Sequence, residues 1–305
     1  MDVSIPANAH LGNRSFGLRL IHVQEKQKSG KIQRKEGDIV LSVRSALTLA
    51  VATLVLVFGI GTRGQAESQP RLLYNFEQGI LTEPSSDLRY VADVMGSITG
   101  RPHNGYLEGA NGGAISLVSD PTRGLVTKFP EPCSPTATTG CPKAIIQTDP
   151  TQSDDLDPRS APFSFGAVVL MEPSHLTGGS NVVQKGLYND PGGQWKLQVD
   201  SMPGELGQPS CSVRGVVEGG LAKPVYVKAF GVDVADGRWH RIVCRKTADD
   251  RLAIVVDGVW KNSEPVPHGA LIRNDAPVSV GAKHLNSDDN DQFHGTLDRV
   301  FFRVD

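Results

Sequence analysis

From residue 71 onward, apolar and polar positions alternate in short bursts. These fall at 72–77, 113–119, 124–129, 144–148, 163–171, 181–187, 194–200, 211–218, 223–231, 239–246, 251–258, 278–283 and 295–304. Gly, Pro, Asn and Asp cluster between them. Side chains of a strand point alternately to its two faces, so this pattern predicts half-buried strands. Short strands at regular spacing, separated by turn formers, predict an antiparallel sandwich or barrel. No window after residue 66 keeps a helical apolar stripe, and 150–162 (PTQSDDLDPRSAP) reads as a polar loop.

The clearest unit is 236–258, DGRWHRIVCRKTADDRLAIVVDG. His240, Ile242 and Cys244 share one strand face; Arg241, Val243 and Arg245 share the other. Thr247 to Asp250 supply a turn, and Leu252, Ile254 and Val256 continue the apolar face. This is a hairpin with an aliphatic inner side. Trp239 and Trp195 are expected in the core. His240 is expected to be a structural residue hydrogen-bonded beside the hairpin.

The first 66 residues differ in kind. Residues 46–60 (ALTLAVATLVLVFGI) form an uncharged apolar run after Arg44, and Gly64-Gln65-Ala66 offers small residues for cleavage. This predicts a secretory leader over 1–66, cut after Ala66, and one domain over 67–305. The run is short of the roughly 20 residues a bilayer span needs, although a retained anchor is the alternative reading. No membrane span is expected in the mature chain, which should be secreted or held at the cell surface.

The leader also changes the charge. It holds nine of the 31 Lys and Arg but only four of the 33 acidic residues, leaving 22 basic against 29 acidic side chains. A mature chain with that balance is a poor partner for nucleic acid. Hydrophobic residues at 39% and charged residues at 21% suffice for a packed core, and 33 Gly with 20 Pro suit a turn-rich sandwich.

Cys133, Cys141, Cys211 and Cys244 all follow the leader. An exported chain with an even count predicts disulfides. Four cysteines allow three connectivities, of which local pairing, 133 with 141 and 211 with 244, is the simplest. Neither spacing suits a zinc knuckle.

Asp236-Gly237-Arg238-Trp239-His240-Arg241-Ile242-Val243, followed by Leu252 to Val256 and Asp257-Gly258, resembles the D-G-x-W-H-x-V … L-x-(V/Y)-V-D-G hairpin of laminin G-like domains. Phe293-His294-Gly295-Thr296-Leu297-Asp298-Arg299-Val300 resembles that family's closing strand. Tyr74-Asn75-Phe76-Glu77 and Ser279-Val280-Gly281-Ala282 are similar to two further strands. The resemblance spans about 72–305 and implies an all-β, concanavalin A-like jelly-roll sandwich of two antiparallel sheets. It also implies a non-catalytic extracellular binding module, with a polysaccharide or glycoprotein as partner. A protein-binding or structural surface role is the alternative, and a glycan-active hydrolase the third reading.

Hydrolysis by a related glucanase would need paired carboxyls on one strand, as E-x-D-x-x-E. That pattern is absent; Glu172, Glu205 and Glu218 stand apart, and Asp154-Asp155-Leu156-Asp157 lies in a loop. Gly59 to Gly64 matches G-x-G-x-x-G, but inside the leader and without the strand and helix a dinucleotide needs.

The resemblance makes the first and last strands neighbours, which would bring Glu77 and Asp298 together as side-chain ligands for a structural Ca2+. The oxygen-rich loop from Asn286 to Asp291 is a second option, though a solvated turn explains it. Trp260 and Tyr188 are the candidate sugar platforms, since each is expected to expose a flat ring.

Overall fold

The computed structural model describes residues 68–96, 102–134 and 139–305. The expected leader and its cleavage point lie outside them. In chain order the first strands are β1 (Leu72–Tyr74), β2 (Ile80–Thr82), β3 (Arg89–Val91), β4 (Gly105–Ala110), β5 (Ser116–Asp120), β6 (Gly124–Lys128) and β7 (Lys143–Thr148). Next come β8 (Phe163–Leu170), β9 (Ser180–Lys185), β10 (Gln194–Asp200), β11 (Gln208–Arg214), β12 (Val216–Val217), β13 (Gly220–Leu221) and β14 (Val225–Lys228). Then follow β15 (Trp239–Lys246), β16 (Arg251–Val256), β17 (Val259–Pro265), β18 (Val278–Val280) and β19 (Thr296–Val304).

An eight-stranded sheet runs β17-β16-β15-β8-β19-β6-β5, with β1 also pairing β19. A nine-stranded sheet runs β14-β11-β10-β9-β18-β7-β4-β3-β2. The described residues form an all-β, concanavalin A-like jelly-roll sandwich of two antiparallel sheets.

Alternation sets which face each strand buries. Phe163, Phe165, Ala167 and Val169 on β8 meet Trp195, Leu197 and Val199 on β10 in one core between the sheets. Trp195 is fully buried, its ring 4.6 Å from that of Phe165 and stacked 5.2 Å from that of Phe302. The hairpin is β15 and β16, paired from Ile242↔Val256 to Lys246↔Leu252, with Ile242, Cys244, Leu252 and Ile254 inside. Trp239 is only half-buried; its indole N–H donates to Asp120 Oδ2 at 3.0 Å.

Both local disulfides are present. Cys133–Cys141 closes a surface loop. Cys211 on β11 joins Cys244 on β15, so a fully buried bond ties one sheet to the other.

The strand pattern differs from expectation in three places. The run 211–218 is broken at Gly215, where an added Cβ would crowd that of Ala270 at 2.8 Å; β11 ends there and β12 starts a small ribbon with β13. Residues 80–110 contain β2, β3 and β4, which polar and glycine-rich composition concealed. Residues 259–265, outside the expected runs, form β17, a third strand that pairs with β16 and carries Trp260.

A lysine enters the core. Lys185 pairs in register with Trp195 and Val278, both core residues, so its side chain faces inward and is fully buried. Its ammonium donates to Asp157 Oδ1 at 2.7 Å and to Asn274 Oδ1 at 3.1 Å. Burial pulls the Lys185 pKa down against the attraction of Asp157, and burial pushes Asp157 up against Lys185. The pair fixes the 150–157 turn to the end of β9, a central strand of the nine-stranded sheet.

Candidate binding site

Tyr188 projects from the tight connection between β9 and β10. Gly186 and Gly193 bracket it at φ 77° and 85°, and Asp190 closes it by accepting the Leu187 N–H at 2.6 Å. The connection lifts Tyr188 into solvent at 47% exposure. Arg214, the last residue of β11, reaches across: its guanidinium lies 4.7 Å from the Tyr188 ring centroid and donates to the Tyr188 carbonyl at 2.7 Å. Two further bonds, Arg214 Nε to the Ala222 carbonyl at 2.9 Å and a terminal nitrogen to Asn189 Oδ1 at 3.4 Å, fix its stem.

Tyr226 completes the group. It pairs with Ser212 in register, so it shares the outer face of the nine-stranded sheet with Arg214, and it is 51% exposed. Its hydroxyl is within hydrogen-bonding reach of Tyr188; burial, and then the Tyr188 phenol, raise its pKa. Two phenol rings and a guanidinium thus form one exposed platform with apolar faces and several donors. The sequence marked Tyr188 alone. Tyr226 alternates with buried Val227 on β14, and the β11–β14 register brings it beside Arg214.

Trp260 lies elsewhere. It sits on an edge strand of the other sheet, opposite Val255 at a register shift, and is 51% exposed. Trp260 and Tyr188 thus lie on different sheets, although β17 meets β14, the strand of Tyr226, where Asn262 Nδ2 donates to the Lys228 carbonyl at 3.3 Å.

Glu77 and Asp298 do come together. β1 pairs β19, and Glu77 packs its carboxylate against bare Gly124, beside Arg123. Asp298 is buried, with Arg123 Nε 3.4 Å from Oδ2. Burial raises the Asp298 pKa against the pull of Arg123, and Glu77 adds to the rise. Among the described residues no three His, Cys, Asp or Glu side chains form a metal-binding group. Calcium takes six to eight oxygens. With a guanidinium facing Asp298, these side chains do not form such a shell by themselves.

The Asn286 to Asp291 loop is held by lysines. Lys143 meets Asp288 at 2.8 Å, Lys196 meets Asp291 at 2.6 Å, and Lys283 meets Asp289 at 3.0 Å and Asp291 at 3.4 Å. His240 bridges Asp257 at 2.7 Å and Asp236 at 3.0 Å, pinning the start of the hairpin to its far turn.

Residues 207–303 match the family of the laminin G domain. That stretch is laminin G-like. The matched stretch contains the hairpin and the closing strand, while 72–206 supply the remaining strands of the same two sheets. Among solved structures, the binding domain of Paraclostridial Mosquitocidal Protein 1 is 13% identical at TM-score 0.47, covering 76% of this chain and 49% of that one. The binding domain of botulinum neurotoxin serotype G is 12% identical at TM-score 0.47, covering 77% and 47%. A botulinum neurotoxin type C structure, whose cell entry depends on interaction with two ganglioside molecules, is 12% identical at TM-score 0.45, covering 73% and 46%. The chain spans about half the length of these structures. No curated protein matches it. The sandwich follows from the order of strands in the two sheets, and the laminin G match lies within it at 207–303.

Proposed function

We propose that this laminin G-like domain is a non-catalytic extracellular binding module for a polysaccharide or the glycan of a glycoprotein. The supporting observation is the Tyr188–Arg214–Tyr226 platform. A pyranose has an apolar C–H face that packs on an aromatic ring, and hydroxyls that pair with phenols and guanidinium. Arg214 is held by three acceptors in the free protein, so binding costs little ordering of that side chain. Export through the 1–66 leader would deliver the domain to such ligands, and the excess of acidic residues disfavours nucleic acid.

The test is retention of the full chain on insoluble cellulose, chitin and β-1,3-glucan, with the supernatant assayed for released sugar. Retention without release is expected. Tyr188→Ala and Tyr226→Ala should each weaken it by about 1 kcal/mol or more, because a stacking ring is lost. Trp260→Ala reports whether the second exposed ring contributes. Sugar release would overturn the non-catalytic reading.

A protein partner is the second reading. Met202, Leu206 and Phe230 are 61%, 58% and 70% exposed. Their segments run side by side, since the Ala229 N–H donates to the Pro209 carbonyl and the Val234 N–H to the Gly207 carbonyl. Clustered exposed apolar residues mark interaction surfaces. Absence of glycan retention would shift the function to this patch.

A further inference from the structure

The outer face of the eight-stranded sheet holds a second surface of different chemistry. In register, Arg241 pairs with Val168 and Val168 with Asp298; Val243 pairs with Gly166 and Gly166 with Phe301; Arg245 pairs with Ser164 and Ser164 with Arg303. These positions alternate with core residues, so all face outward. Gly166 has no side chain, and the Phe301 ring lies across it, 3.1 Å from where a Cβ would stand. Leu73, Val168 and Phe301 form part of a cleft of about 430 Å³ ringed by Arg123, Arg241, Arg299 and Arg303.

Carboxylates meet three of the four guanidiniums. Asp298 faces Arg123 at 3.4 Å and Arg299 at 3.9 Å, and Asp305 holds Arg303 at 2.7 Å. Arg241 is exposed and makes no salt bridge among the described residues. Arg299 is 70% exposed along its side chain, and its backbone is left-handed at φ 49°. It occupies a bulge where the β19 register slips between Asp298 and Phe301. A bulge re-aims the side chain it carries, and a non-glycine residue at positive φ is a strained position usually tied to a local purpose. Here it turns Arg299 toward the cleft. A positive cleft on a chain with a net acidic exported portion is a local complement to anions.

We propose that this cleft binds an anionic polysaccharide, seating a pyranose on the Phe301 ring and its carboxylate or sulfate between Arg241 and Arg299. Guanidinium matches both groups as a two-point donor. The inference does not depend on the tyrosine platform, which lies on the other sheet.

The test measures binding of the full chain to polygalacturonate, dextran sulfate, neutral dextran, and phosphatidylcholine–phosphatidylglycerol vesicles at low and high salt. Binding to at least one charged polymer, absent on dextran and weakening as salt rises, is expected. The two polymers distinguish carboxylate from sulfate. Arg241→Gln and Arg299→Asn should each weaken binding by about tenfold, as loss of one charge-assisted contact does. Asn tolerates the left-handed backbone, and both side chains are exposed, so melting temperatures should hold. Tyr188→Ala should leave this binding unchanged. The proposal is overturned if both variants bind as tightly as the natural chain, if neither polymer binds better than dextran, or if only vesicles bind.

Discussion

The bond between Cys211 and Cys244 should contribute more to stability than the one between Cys133 and Cys141, and the difference can be worked from the chain. A cross-link removes loop-closure entropy from the unfolded state in proportion to the logarithm of the loop it closes. The separations are 33 and 8 residues. The entropy relation then gives about 3.7 and about 2.5 kcal/mol at 25 °C. The longer figure is a floor, because both sulfurs of that bond are fully buried and their removal also leaves a gap in the core. Replacing both cysteines of each pair by Ala, and following urea unfolding, measures the two costs. Cys211→Ala with Cys244→Ala should lower stability by about 4 kcal/mol, a fall of about 8–16 °C in Tm for a domain of this size. The surface pair should cost about 2–3 kcal/mol. Equal losses, or a larger loss for the surface pair, would refute the argument that the inter-sheet bond is the stronger constraint.

His240 is expected to make stability depend on pH. Burial lowers its pKa, but the hydrogen bonds to Asp257 and Asp236 outweigh that and raise it, while the bond to His240 lowers Asp236. The histidine contribution is therefore complete below the unfolded histidine value and fades as pH rises through the folded one, and the Asp236 contribution fades in acid. The stability gap between the natural chain and His240→Gln should shrink between pH 5.5 and pH 8.5; a constant gap would exclude the linkage. Gly281→Ala should cost about 3 kcal/mol, since φ is 85° and the new Cβ would run into the buried Phe129 ring; a loss below about 1 kcal/mol in urea unfolding would show that the ring yields. Any calcium held between Glu77 and Asp298 must displace Arg123, so calcium should raise the Tm of Arg123→Ala more than that of the natural chain. Equal shifts, or a shift that survives Glu77→Ala with Asp298→Asn, would remove calcium from this place.

The parts of this molecule legible in the sequence are those where local alternation and tertiary burial agree. Residues 239–258 read as a hairpin because every second residue is apolar and two Asp-Gly turns bracket it. β2 to β4 were invisible because Arg89, Thr82, Glu108 and two glycines of β4 carry no such alternation; pairing with neighbours alone makes them strands. Lys185 defeats the pattern in the opposite way. It sits at a core-facing position that a lysine can hold only because Asp157 and Asn274, distant in sequence, meet it there. The two surfaces were hidden for the same reason. Tyr188 could be singled out, but Arg214 and Tyr226 join it through strand register, and Arg123, Arg241, Arg299 and Arg303 converge from β15, β19 and the β5–β6 turn.

The pairing of β1 with β19 leaves Ser68 Oγ 3.4 Å from the Asp305 carboxylate, so the described ends of the domain meet at one point. A short linker could join them, and a new opening cut at the exposed Thr247–Asp250 turn would preserve every strand of both sheets. Such a circular permutant would separate the role of chain order from that of the sheets. The same meeting of ends lets the domain be spliced into the loop of another protein as a cassette, with its tyrosine platform borne on the sheet remote from the splice.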